Sequence, residues 1–179
     1  MKRTAILSVQ SLGLLLFLAF ACGCDYEAPL TAKPTGKIDP QLLGNWIGQD
    51  TGSFPETNLK IRKLDDSNYL ISYGGFYRAY HSDLGDIHFV SIQNIEPVPD
   101  KERKYILATY ELKDNGDTLI VRTINDKVIP NTLKTSAELE KAIRANLKNP
   151  DLFKKDPGVF NRAKAIPQKG EQSSPAESQ

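Results

Sequence analysis

Cysteine is nearly missing from this chain. Of 179 residues only Cys22 and Cys24 are cysteine, and both lie within the first 24 positions. The pair Cys-x-Cys offers two metal ligands at most, and no Cys or His follows nearby to complete a zinc site. The spacing is not Cys-x-x-Cys beside a strand–helix unit, so a redox pair is a poor reading. If both residues belong to a leader, a catalytic cysteine is excluded as well. A surplus of one charge is also missing. The chain carries 23 Lys and Arg against 22 Asp and Glu, a formal charge of +1. Lys2 and Arg3 supply the basic side of the first 24 residues, where no acid occurs, so the remainder is close to neutral. Such a chain has no electrostatic footprint for nucleic acid. There is no phosphate-cradling glycine loop, no Gly-x-Ser-x-Gly elbow, no His-Glu-x-x-His and no internal repeat, and nothing calls for a cofactor.

What is present begins with an address. Lys2-Arg3 is followed by an apolar run, "LGLLLFLAF" at Leu12 to Phe20, and then by small residues. A basic start, a short apolar core and small residues before a cleavage point describe a secretory signal. An uncleaved anchor helix is the alternative, since the uncharged stretch from Thr4 to Cys24 is just long enough to span a bilayer. Ala21-Cys22-Gly23-Cys24 resembles the lipobox of bacterial lipoproteins. That resemblance implies that one cysteine receives a diacylglycerol, becomes the first residue of the mature chain and holds it to a membrane of the cell envelope. Cys24 has two small residues before it, and choosing it leaves no free thiol in an oxidising compartment; Cys22 is the alternative. The signal is then 1–23. Asp25, directly after Cys24, resembles the residue that retains some lipoproteins in the inner membrane, although inner and outer remain open.

Residues 24–40 contain Pro29, Pro34 and Pro40 without apolar periodicity, and they read as an extended tether. Residues 41–163 read as one domain, and 164–179, polar and low in aromatics, as a disordered tail. Within the domain, period-two alternation predicts about seven strands in an antiparallel meander. Tyr69, Ile71 and Tyr73 alternate with Leu70 and Ser72, and Asn115-Gly116 is the strongest hairpin signal. Thr135 and Glu138 frame a capping box, and Leu139, Ile143 and Leu147 recur along a helix over 136–148. "DLFKKDPGVF", Asp151 to Phe160, reads as a short turn pinned to the body. The expected fold is therefore mainly β: a small barrel or strongly curved sheet covered by one amphipathic helix.

Gly44-Asn45-Trp46 at the start of the first domain strand resembles the opening of lipocalins and related calycin barrels. The resemblance implies a Trp across the barrel floor with an Arg from a late strand over its ring, and Arg122 is the expected Arg. The plainer reading makes Trp46 a core anchor. "HSDLGDIH" contains both histidines of the chain. His81, Asp83, Asp86 and His88 could present zinc-type ligands if the hairpin turns them to one face. Asp and Gly are also what an ordinary solvated turn uses, and that reading is preferred. Tyr69, Tyr73, Tyr105 and Tyr110 could line a site for an amphipathic ligand, although tyrosine is also simply a good strand former. The basic C-terminal helix could lie near anionic headgroups, with a solvated face as its default reading. The sequence leads to the expectation of a membrane-anchored envelope lipoprotein, non-catalytic, binding a small apolar or amphipathic ligand. A structural or protein-interaction module is the alternative, and a hydrolase or metal-dependent enzyme using the 81–88 hairpin comes third.

Overall fold

The computed structural model describes residues 25–49, 58–96 and 104–164. The signal 1–23, both candidate lipid-bearing cysteines and the tail beyond Lys164 lie outside them. Among the described residues nine strands follow one another: β1 (Asp25–Tyr26), β2 (Gly44–Gly48), β3 (Asn58–Lys63), β4 (Asn68–Ser72), β5 (Phe76–His81), β6 (Phe89–Asn94), β7 (Tyr105–Lys113), β8 (Thr118–Thr123) and β9 (Gly158–Arg162). One helix, α1 (Ser136–Asn146), stands between β8 and β9. All pairings are antiparallel. β2 to β8 pair in chain order, and β9 pairs with both β8 and β2, closing an eight-stranded barrel. The expected small barrel with one helix is what forms.

Alternation sorts the side chains. Trp46, Leu59, Ile61, Tyr69, Ala79, Leu119 and Phe160 face inward as one apolar cluster. The opposite faces of β6 and β7 carry Phe89 and Leu107 into a second cluster, where Leu139 and Ile143 of α1 cover them. The sheet is thus covered on both sides here, which explains why β7 reads as apolar on both faces. Helix α1 starts at the expected capping box: the Thr135 hydroxyl accepts from the Glu138 N–H, and the Glu138 carboxylate accepts from the Thr135 N–H. The β7–β8 hairpin turns where Asn115-Gly116 predicts, with Asp114, Asn115 and Gly116 all at positive φ.

Two expectations are corrected. Residues 25–40 are not an extended tether. Asp25 and Tyr26 pair with Ile106 and Tyr105 of β7, and Tyr26 and Leu30 are fully buried in the outer cluster. The Tyr26 hydroxyl donates to the Ile129 carbonyl, and the Leu30 N–H donates to the Ser91 hydroxyl. Pro29 and Pro34 break any long element and Pro40 opens only a short 3-10 turn, but irregular backbone still packs when its apolar residues find a surface. The stretch read as a pinned turn contributes the eighth barrel strand: β9 puts Phe160 and Arg162 on the inner face, and Val159 and Asn161 on the outer one.

Candidate functional site in the barrel interior

Strand direction defines two ends. At one end lie the β3–β4 turn, the β5–β6 turn, the β7–β8 hairpin and the start of β2. This end is plugged. Trp46 is fully buried, and its indole N–H donates to the Leu42 carbonyl at 3.0 Å. The guanidinium of Arg162 lies 4.2 Å from the ring centroid. It also donates to the carbonyls of Gln41, Leu43 and Gly116 at 2.6–3.0 Å. One side chain thus ties the start of β2, the short 3-10 turn before it (Pro40–Leu42) and the β7–β8 hairpin to the Trp face. Gly44 makes room for it. A Cβ there would meet Arg162 Nη1 at 2.8 Å, and φ is +151°.

The expected partner, Arg122, is not that residue. Its neighbours Val121 and Thr123 line the barrel interior, so period-two alternation turns Arg122 outward. The sequence signal that could have found Arg162 is the alternation Gly158, Phe160, Arg162 in a segment short of other strand cues.

Beyond the plug is a cavity of about 300 Å³. Its walls are largely apolar: Leu59, Ile61, Ile71, Val90, Ile92, Leu119 and Val121, with Tyr69, Tyr73, Tyr77 and Tyr110 among them. Ala79 leaves space where larger side chains would fill it. Three of the four tyrosine candidates, Tyr69, Tyr73 and Tyr110, are therefore wall residues. Tyr105 is not, because its parity on β7 puts it against the outer cluster. Asp156 and Gly158 line the cavity toward the second end, where the joins β2–β3 and β6–β7 include residues outside the described set. A smaller space next to this end is lined by Asp25, Tyr77, Ile92, Asn94, Lys104 and Ile106.

At the plugged end the histidines meet. The pairing His81↔Val90 continues through the bridge Leu84↔Ile87, so Asp83 stands opposite His88, and His81, two residues before Asp83, shares its face. Parity thus answers what the sequence left open. Asp83 Oδ1 lies 3.2 Å from His88 Nδ1 and 3.8 Å from His81 Nδ1. Asp86 does not join this group: it belongs to the turn itself, beside Gly85 at positive φ, and it is exposed.

His81 is 5% exposed, and burial holds its pKa below the ordinary value, with Asp83 opposing that shift. Its Nε2 is 2.8 Å from the Tyr69 hydroxyl, which accepts the Asp39 N–H at 2.5 Å. Burial pushes the Tyr69 phenol up to about 12 and shifts Tyr110 upward too. Thr35 accepts the Asp83 N–H at 2.8 Å and donates to Asp83 Oδ2 at 3.1 Å. That leaves Oδ1 turned to the imidazoles. The sequence gives no cue to Thr35 or Asp39, because both come from the segment read as a tether.

Among the described residues no helix is long and apolar enough to cross a membrane. No protein-family model, no curated protein and no solved structure matches the chain.

Proposed function

We propose that the chain is a lipid-anchored envelope protein whose barrel binds one small apolar or amphipathic molecule, without catalysis. The observation that carries this reading is the cavity: about 300 Å³ bounded by aliphatic and tyrosine side chains inside the barrel. That volume is at the lower end of the range of about 300–1,000 Å³ usual for ligand pockets, and a largely apolar wall with few polar groups suits such a ligand.

The position of β1 supports the anchor. Asp25 pairs with Ile106 at the end of β7 remote from the plug. Residue 24 is one peptide link away, about 3.8 Å between Cα atoms. Acylation at Cys24 therefore ties the end of the barrel opposite the plug to the bilayer. Phe76 and Ile95, 53% and 39% exposed, stand together at that same end, joined by an Ile95 N–H to Phe76 carbonyl hydrogen bond of 3.0 Å. Exposed apolar side chains at such a rim would contact lipid.

Native mass spectrometry of the protein released from its own membrane tests the binding reading. Retained mass of a small amphiphile, lost in an Ala79→Trp variant that fills the cavity, is the expected result. A chain that carries no ligand and takes up no fluorescent apolar probe would refute it. Inhibition of the lipoprotein signal peptidase is expected to leave a heavier precursor, and a mature chain without added lipid would refute the anchor.

A further inference from the structure

We propose that His81 Nδ1, Asp83 Oδ1 and His88 Nδ1 form a binding site for a divalent transition metal of the zinc class, at the plugged end of the barrel and separate from its cavity. One ligand atom from each of the three residues lies within 4.8 Å of those of the other two. Donors about 2.0–2.1 Å from a tetrahedral zinc stand roughly 3.3 Å apart, and the two contacts of Asp83, at 3.2 and 3.8 Å, bracket that edge. Imidazole and carboxylate together suit zinc, cobalt, nickel or copper rather than calcium or magnesium.

The independent observation is the state of His81. Its Nδ1 is fully buried and has no hydrogen-bond partner, in a residue only 5% exposed. An ordinary Asp83–His88 ion pair explains those two residues and leaves this nitrogen unaccounted for. Buried polar atoms without a partner are rare in folded proteins, and one aimed at a carboxylate and a second imidazole points to a shared ligand. The surroundings fit as well. Metal on Nδ1 requires the proton on Nε2, where the Tyr69 oxygen can accept it at 2.8 Å. Thr35 holds Asp83 Oδ2 and leaves Oδ1 for the metal. His88, with 65% of its side chain exposed, is free to close the last distance and to admit the ion. Three protein ligands leave at least one position for water or an exogenous donor.

Equilibrium dialysis of the purified full chain in detergent against Zn²⁺, with Co²⁺ titration read by visible absorption, tests the site. One metal per chain and the intense visible band of four-coordinate Co²⁺ are expected. His88→Ala and Asp83→Asn, both outside the packed core, are each expected to weaken Zn²⁺ binding by at least about tenfold, and Thr35→Val by roughly tenfold through loss of orientation. Asp86→Asn is expected to leave affinity unchanged. The emission of Trp46, the only tryptophan, reports whether each variant is folded. Absence of saturable binding overturns the proposal. So does binding that His88→Ala and Asp83→Asn in folded protein change by less than about twofold.

Discussion

Replacing Arg162 by methionine removes the charge and the donors while keeping most of the apolar stem. The guanidinium faces Trp46 at 4.2 Å, and that contact is worth about 0.5–2 kcal/mol. It also makes four donations to three carbonyls. A bond from a charged donor contributes about 1.5–3 kcal/mol when well buried. The side chain is 30% exposed, however, so water can reach some of these carbonyls once the Arg is gone, and the four bonds together are worth far less than their sum. A net loss of about 3 kcal/mol follows, a factor of roughly 100–200 in the folding equilibrium. Arg162→Lys keeps the charge but not the fork, and about half that loss is expected. Arg122→Met, on the outer face, is expected to stay within about 0.5 kcal/mol. Urea unfolding followed by Trp46 emission measures all three, and the reporter is the residue under the Arg. Arg162→Met should also change native emission, since the charge leaves the indole face. If Arg122→Met costs more than Arg162→Met, or if Arg162→Met is as stable as the parent chain, the assignment of the plug is wrong.

Gly44→Ala is expected to destabilise by at least 2 kcal/mol, on the order of an overpacked site, because its Cβ would stand 2.8 Å from Arg162 Nη1 at a φ of +151°; the Gly44→Ala, Arg162→Met double variant should cost less than the sum, and strict additivity would refute the contact. Tyr69 and Tyr80 are both pushed up to about 12 by burial. Their folded values exceed the unfolded one, so the stability they contribute is complete below pH 10 and falls as pH rises toward 12, by about 2–3 kcal/mol for each. Tyr80→Phe should flatten that decline in alkaline unfolding curves, and an unchanged slope would count against the burial argument. His81 has the opposite sense. Its folded pKa lies below the unfolded one, so metal-free protein should lose stability as pH falls below about 6.5, and a melting temperature flat across that range would contradict it. Thr135→Ala removes the cap of α1 and should cost about 1 kcal/mol by thermal melting, with Glu138→Ala similar and the double variant less than additive.

The legible part of this fold was local. Alternation at Tyr69, Ile71 and Tyr73 marks β4, the Asn-Gly pair marks the β7–β8 turn, and Thr135 with Glu138 marks the helix start, each within a few residues. The illegible part was long-range. Arg162 reaches Leu43, 119 residues earlier, and no spacing rule connects them. β9 is five residues long and follows Pro157, so it carries too few alternations to read as a strand. The segment 25–40 has no periodicity, and its burial depends on a surface built by β5, β6 and α1. The histidine cluster stood between these cases. Its residues were visible as "HSDLGDIH", but whether 81, 83 and 88 share a face rests on the register His81↔Val90, which only the pairing of β5 with β6 supplies.

Closure by β9 also sets an order of events. Among the described residues, the strand that seals the barrel against β2 is the last element made, after α1 and the seven other barrel strands. Until residues 158–162 are available, β2 and β8 are bare edges, open to pairing with another chain. Contacts of such long sequence separation form slowly. A chain threaded across a membrane from its N-terminus would expose both edges until residues 158–162 follow. A chain cut before Gly158 never reaches a closed state and is expected to aggregate by its two edges.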